Sequence, residues 1–229
     1  MTAVLLSALY GNYDALKHPP EQDGARCLLL TDDASVESDV WQVVYWPKPH
    51  MIGLLAAKAP KMLPGLYAPD CDGSVWIDAS VQVHSPTFTV EALECARDGV
   101  ATWPHPWNGS LAAEAAESLQ QTRYQGQMLD QQIERFYAEG LPPDISVRHT
   151  AVVARAHNDA TLSMGYLWDA EYEWSMADQI GFVYACWKTG VPMYDLPMSQ
   201  AFLHGFSTPD RPDRWLSHHS HLKPYWSPQ

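Results

Sequence analysis

The chain has few charged residues, few cysteines and no long apolar run. Only 18% of its 229 residues are charged and 46% are hydrophobic, which excludes a disordered composition. The four cysteines form no CxxC pair and no zinc-type spacing, so we interpret them as isolated thiols of a reducing compartment. No apolar run approaches membrane-spanning length, and the N-terminus lacks the basic region and cleavage site of a signal peptide. We therefore expect a cytoplasmic protein without a membrane partner.

Basic residues are scarce as well. Lysine and arginine together number 14 against 27 aspartates and glutamates, which gives a net charge of −13. Such a chain has no general attraction for a phosphate backbone, so bulk binding of nucleic acid is not expected. Tryptophan and tyrosine are plentiful instead, at ten and eleven residues. Such rings often line sugar sites, and they are also common in protein cores.

An apolar run, Val75-Trp76-Ile77, ends at Asp78, and a second extended segment follows at 81–83. A buried strand that stops at an acidic residue places the carboxylate at the carboxyl edge of a sheet, where open α/β sheets bind ligands. Two earlier apolar runs, at 4–9 and 26–30, end in the same way in polar, turn-forming residues. The sequence therefore predicts a polar rim at one edge of the sheet.

Helical patterns lie between these strands. The spacing of apolar residues predicts helices over 51–62, 87–97, 111–137 and 175–187, with further strands over 41–46 and 146–154. The alternation predicts an α/β fold with a mainly parallel sheet flanked by helices. The length fits a single domain over 1–229, with an irregular tail from residue 208.

Five motifs occur in a recognisable order: Tyr10-Gly11-Asn12-Tyr13-Asp14, Trp76-Ile77-Asp78, His105-Pro106 with Glu114-Ala115, the stretch 152–158, and Trp168 with Asp178-Gln179. Their order and spacing resemble the TOD/MUCI-type glycosyltransferase-like family, which has a GT-A fold. A fainter similarity to glycogenin-like retaining glycosyltransferases rests on Asp78-Ala79-Ser80, Asp178-Gln179 and the segment 221–226. The resemblance implies a nucleotide-sugar-dependent glycosyltransferase, with a UDP-sugar as the expected donor and an unidentified acceptor. A catalytically weak carbohydrate- or nucleotide-binding module that keeps the GT-A fold is the alternative.

The resemblance also assigns roles to residues. Asp178 and Gln179 are expected at the catalytic centre, although Asp178 also fits an ordinary acid in the first turn of a helix. Asp33 is expected to bind the base or ribose, or else to cap a turn, and Lys58 to reach a phosphate, or else to be an exposed helix charge. The expected donor-binding residues are Tyr10, Gly11, Asn12, Tyr13, Asp33, Lys58, Asp78, Ser80 and Lys223.

A metal site is expected as well. Asp78, Ser80 and His221 would hold Mn²⁺ or Mg²⁺, which favour oxygen ligands. Ser80 stands where the second acid of a DxD motif would be, so we expect affinity to be weak without a nucleotide. The tail 208–229 is expected to close over the donor site. On the acceptor and sugar side we expect His105, Arg155, His157 and Asn158.

Overall fold

The computed structural model describes residues 2–48, 53–197 and 216–218. Its strands, in chain order, are β1 (Ala3–Leu9), β2 (Ala25–Thr31), β3 (Gln42–Tyr45), β4 (Gly73–Ile77), β5 (Val81–Val83), β6 (Val100–Pro104), β7 (Arg148–Ala156), β8 (Met193–Asp195) and β9 (Leu216–His218). Seven of them form one sheet in the order β3-β2-β1-β4-β7-β6-β8, and β5 pairs with β9 separately. The mostly parallel α/β sheet expected from the sequence is confirmed.

One strand of the large sheet runs against the others. The strands β3, β2, β1 and β4 are mutually parallel, whereas β7 is antiparallel to both of its neighbours, β4 and β6. The carboxyl ends of β1, β4 and β6 therefore share one edge with the amino end of β7. Pairing of Ile77 with Val152 and of Trp103 with His149 fixes this register.

Helices cover both faces of the sheet. They are α1 (Gly53–Met62), α2 (Pro64–Tyr67), α3 (Phe88–Ala96), α4 (Leu111–Ser118), α5 (Leu129–Ala138), α6 (Asp159–Ala170) and α7 (Asp178–Thr189). Side chains of β1 alternate between two apolar cores, with Val4 and Leu6 on one face and Leu5 on the other. The first core includes apolar residues of α1, α5, α6 and α7, and the second includes those of α3. None of the helices in the described residues is long and apolar enough to cross a membrane.

The structure differs from the sequence prediction in several places, and β6, β8 and the short helix α2 were not predicted. The stretch 111–137 is not one helix: Ser118 ends α4, a short 3₁₀ turn follows at Thr122–Tyr124, and α5 begins at Leu129. The helix α6 was not predicted, although Asn158 and Thr161 cap it reciprocally. The expected tail contains β9, which pairs with β5 directly after the acidic strand.

Candidate active site

Polar side chains from several strand ends meet in one cleft of about 330 Å³. This is the edge that the end of β1 and the end of β4 share with the start of β7. The cleft brings together many of the predicted residues, namely Tyr10, Tyr13, Lys58, Asp78, Ser80, His105, Asp178 and Gln179. A cleft of this size with convergent polar groups is the expected form of a small-molecule site.

Asp78 lies directly after β4, as predicted. Its Oδ1 accepts a hydrogen bond of 2.7 Å from Trp76 Nε1 and lies 3.3 Å from the ammonium of Lys61. The side chain is 37% exposed, so the carboxylate is held on the protein side and still accessible from the cleft.

Asp178 is the centre of a buried ion cluster. Its Oδ2 lies 2.6 Å from Lys58 Nζ and 2.5 Å from Lys61 Nζ. Burial alone raises the pKa of Asp178, but the two ammonium groups outweigh it and hold the pKa well below its usual range. Burial lowers the pKa of Lys58; burial also opposes the charge on Lys61, but Asp178 and Asp78 raise the pKa of Lys61 overall. The carboxylate therefore stays ionised and fixes both lysines.

Arg155 holds the end of α1 that carries these lysines. Its guanidinium donates to the main-chain oxygens of Lys61 and Met62, the last two residues of the helix. A cation at a helix C-terminus is favourable because it meets the unpaired carbonyls and the negative end of the dipole. Burial lowers the pKa of Arg155 to about 10, so it remains charged at neutral pH.

The turn after β1 forms another wall of the cleft. Gly11 and Asn12 both have positive φ, at 65° and 50°, and the backbone N–H of Gly11 donates to both carboxylate oxygens of Asp32. Tyr10 and Tyr13 line the cleft, whereas Gly11 and Asn12 shape the turn. Asp33 does not line the cleft. Its Oδ1 accepts hydrogen bonds from the N–H and the hydroxyl of Ser35, so Asp33 caps a turn, which was the alternative to its binding the base or ribose.

The loop between β6 and α4 is fixed by a small hydrogen-bond network. The N–H of Asn108 donates to His105 Nδ1, and its amide donates to Glu114 at 2.6 Å and to Glu117 at 2.7 Å. Burial lowers the pKa of His105, in spite of the nearby Glu114. His105 therefore lies in the cleft wall as a neutral residue that also fastens the loop.

Arg155, His157 and Asn158 lie at the opposite edge of the sheet, which corrects their expected place on the acceptor side of this cleft. Because β7 is antiparallel, its carboxyl end lies beside Gly73, at the amino end of β4. His157 contacts the main-chain oxygen of Cys71 and the hydroxyl of Ser74, and Asn158 caps α6. They line a separate cavity of about 310 Å³.

The metal-site prediction is only partly covered by the described residues. Asp78 and Ser80 lie in the same cleft, whereas His221 and Lys223 lie outside the described residues. No group of three His, Cys, Asp or Glu side chains with metal-site geometry occurs in the part of the chain that the structure describes. Asp78 and Ser80 offer hard oxygen donors, the kind of ligand that Mn²⁺ and Mg²⁺ prefer.

Lys61 lies three residues after Lys58, a helical spacing that places both on one face, and was the weaker of the two lysine candidates for contacting a phosphate; it is buried and does not itself line the cleft. Several residues that do line the cleft were not expected from the sequence. His149 and Thr150 enter the site because β7 starts at this edge, which a single sequence does not reveal. The loop and helix after β6 add Trp107, Glu117, Gln121 and Arg123.

Comparison with known families agrees with this arrangement. The model of the TOD1/MUCI70 glycosyltransferase-like domain matches residues 28–202, which is most of the chain. The chain belongs to the TOD1/MUCI70 family. The family match includes Lys58, Asp78 and Asp178, but β1 and the Tyr10 turn precede it. No curated protein sequence gives a significant match. Membership of the TOD1/MUCI70 family supports a glycosyltransferase-like function.

Proposed function

We propose that the protein transfers a sugar from a nucleotide diphosphate donor, with a UDP-sugar as the expected donor, to an acceptor hydroxyl in this cleft. The observation that carries the proposal is the cluster of Asp78, Asp178, Lys58 and Lys61 at the carboxyl edge of the sheet of a glycosyltransferase-like domain. In such a reaction the anomeric carbon–oxygen bond breaks and the diphosphate leaves with the electron pair. The acceptor oxygen forms the new bond and gives up its proton.

The charge of the cleft bears on how the diphosphate is held. Two basic side chains line it, Lys58 and Arg123, against five carboxylates: Asp14, Asp78, Glu114, Glu117 and Asp178. Because Asp178 already engages Lys58, a diphosphate needs further positive charge. We expect that Asp78 would hold Mn²⁺ or Mg²⁺, which would supply this positive charge to the leaving group. Lys61 already contacts Asp78, so the ion is expected to bind weakly without nucleotide.

Calorimetry with UDP, with and without Mn²⁺, tests this proposal. Asp78→Asn should weaken UDP–Mn²⁺ binding about tenfold or more, because interactions with a charged group contribute about 1.5–3 kcal/mol. Asp144→Asn, a change at an exposed loop residue outside the cleft, is the matched control and should bind as the parent does. Equal affinity of Asp78→Asn and the parent would mean that the donor site is elsewhere.

Ser80 favours a second candidate, a binding module with little turnover. It is buried in the cleft wall where a second acid would strengthen metal binding. Incubation with UDP-glucose and other UDP-sugars, followed by measurement of released UDP, separates the two functions. Turnover supports the transferase, whereas UDP binding without any turnover of these donors supports the binding module.

A further inference from the structure

One wall of the cleft carries an exposed indole and two glutamates, unlike the part of the cleft near Asp178, Lys58 and Lys61. This wall, formed by Trp107, Glu114 and Glu117 and called here the Trp107 wall, belongs to the β6–α4 loop and to α4. Trp107 is 55% exposed although it lines a cleft. An exposed indole in a concave site presents a large apolar face, against which a ligand can pack.

The Trp107 wall is held rigidly before any ligand arrives. Asn108 donates to both glutamates, and its own N–H is bonded to His105. The rings of His105 and Trp107 meet edge to face, with centroids 5.0 Å apart. Ser110 caps α4 by accepting from the N–H of Ala113. Preorganised side chains of this kind bind a ligand with a smaller loss of conformational entropy.

A second observation points to a hydroxyl-bearing ligand beside this wall. His149, whose ring lies 6.0 Å from that of His105, also lines the cleft, and its Nδ1 is buried without a hydrogen-bond partner among the described residues. Gln179 also lines the cleft, and its Oε1 is a second buried atom without such a partner in the same set of residues. Buried polar atoms are normally paired, so both atoms are suited to a hydroxyl of a ligand or a bound water: the Gln179 oxygen would accept, and His149 Nδ1 would accept or donate according to its tautomer.

The charge of the Trp107 wall restricts the ligand further. Glu114 and Glu117 both accept from the neutral amide of Asn108, which does not neutralise their charges. His105 Nε2 lies 3.5 Å from Glu114, and Arg123 is the basic side chain that this part of the chain contributes to the cleft, so two carboxylates face one permanent cation. A carboxylate-bearing ligand would be repelled there, whereas hydroxyl groups would donate to the glutamate oxygens. The apolar face of a sugar ring suits Trp107, and its hydroxyls suit the glutamates.

We propose that the Trp107 wall binds the acceptor and that this acceptor is an uncharged saccharide. The acceptor role rests on the function proposed above. Saccharide binding does not rest on it, because this binding is measured without nucleotide. The sugar ring stacks on Trp107 and a hydroxyl donates to Glu117, whose side chain is exposed in the cleft. Glu114 is buried and serves to position the loop.

Saturation-transfer NMR and calorimetry on the full chain test the proposal. The probes are neutral trisaccharides of glucose, galactose, mannose and xylose, and trigalacturonate as the charged counterpart. Neutral binding should weaken about tenfold in Trp107→Ala, which corresponds to the loss of roughly 1.4 kcal/mol. Tyr166→Ala removes an aromatic ring of similar exposure, 51%, on α6 and should have no effect.

A charge variant provides an independent check. Glu117→Gln keeps the shape of the side chain and removes its charge, so trigalacturonate should bind about threefold more tightly than it binds the parent. Glu94→Gln, at an exposed position of α3, is the control. Trp107→Ala should still bind UDP–Mn²⁺. If the parent itself does not bind UDP–Mn²⁺, the proposed donor site is overturned, whereas the saccharide-binding proposal is unaffected. The proposal is overturned if no neutral trisaccharide binds, if Trp107→Ala binds as the parent does, or if trigalacturonate binds the parent best.

Discussion

At the scale of single residues, the structure places Asp178, the predicted catalytic carboxylate, in an ion cluster. Its carboxylate contacts two ammonium groups, and its main-chain oxygen accepts from Trp168 Nε1 at 2.9 Å. A buried carboxylate with one buried lysine, Lys61, and one partly buried lysine, Lys58, forms a unit whose members depend on one another for charge balance. Asp178 is therefore a residue that positions Lys58 and Lys61 at the cleft.

Asp178→Asn tests this role. An amide keeps the shape of the side chain but leaves the buried ammonium of Lys61 and the partly buried one of Lys58 without their shared carboxylate. We expect the free energy of unfolding to fall by about 3–5 kcal/mol, which is the usual effect of removing one partner of a buried ion pair. Urea unfolding measures the change.

The same variant separates positioning from catalysis. If it folds, UDP binding should weaken together with transfer, since the lysines that Asp178 fixes border the proposed donor site. Asp130→Asn is the matched control, because Asp130 is an exposed acid in the first turn of α5. A parent-like stability for Asp178→Asn would mean that Asp178 acts only as a helix-start residue.

At the scale of elements, the position of α1 decides where the lysines lie. Gly165 of α6 lies against the end of this helix, where a Cβ atom would come within 2.4 Å of the main-chain oxygen of Met62. The backbones of the two helices therefore approach too closely for any other residue. The same carbonyl oxygen of Met62 accepts a hydrogen bond from Arg155, so α6 and β7 both contact this end of α1.

Gly165→Ala should move α1 or destabilise the fold. Alanine would otherwise favour a helix by about 1 kcal/mol, but the clash with backbone should outweigh this and give a net loss of about 1–3 kcal/mol. Urea unfolding measures the loss. The control is Gly109→Ala, where an added Cβ meets nothing within 4 Å. An unchanged or higher stability for Gly165→Ala would show that the two helices can separate without cost.

The elements also show how far the sequence could be interpreted. The apolar run before Asp78 and the spacing of Ile180, Val183 and Tyr184 predicted β4 and α7, because local periodicity determines them. The direction of β7 was not predictable from local periodicity, since it depends on pairing with β4 and β6, and much of that pairing joins residues far apart in the sequence. Arg155 was misplaced for this reason. The pairing of Asp178 with Lys58 joins residues 120 positions apart, which periodicity does not reveal.

At the scale of the whole molecule, β9 pairs with β5, the strand that directly follows Asp78 and Ser80. Pairing of β9 with β5 puts His218 opposite Val81, three residues after Asp78. Leu216 is fully buried in the same apolar core as Val81 and Val83. Through this pairing, a segment more than 130 residues away from Asp78 supports the loop that carries Asp78 and Ser80.

Leu216→Ala should therefore affect both the fold and the donor site. Removing a fully buried leucine side chain should lower the free energy of unfolding by about 2–5 kcal/mol, from lost burial and the cavity left behind. Because β5 follows Ser80 directly, a loosened β5–β9 pair should also weaken UDP–Mn²⁺ binding. Urea unfolding and calorimetry measure the two effects.

Leu66→Ala is the control, since Leu66 is 56% exposed and its loss should change stability by less than about 0.5 kcal/mol. Lower stability with parent-like UDP affinity would show that β9 supports the core but not the donor site, and parent-like stability would contradict the docking of β9 itself.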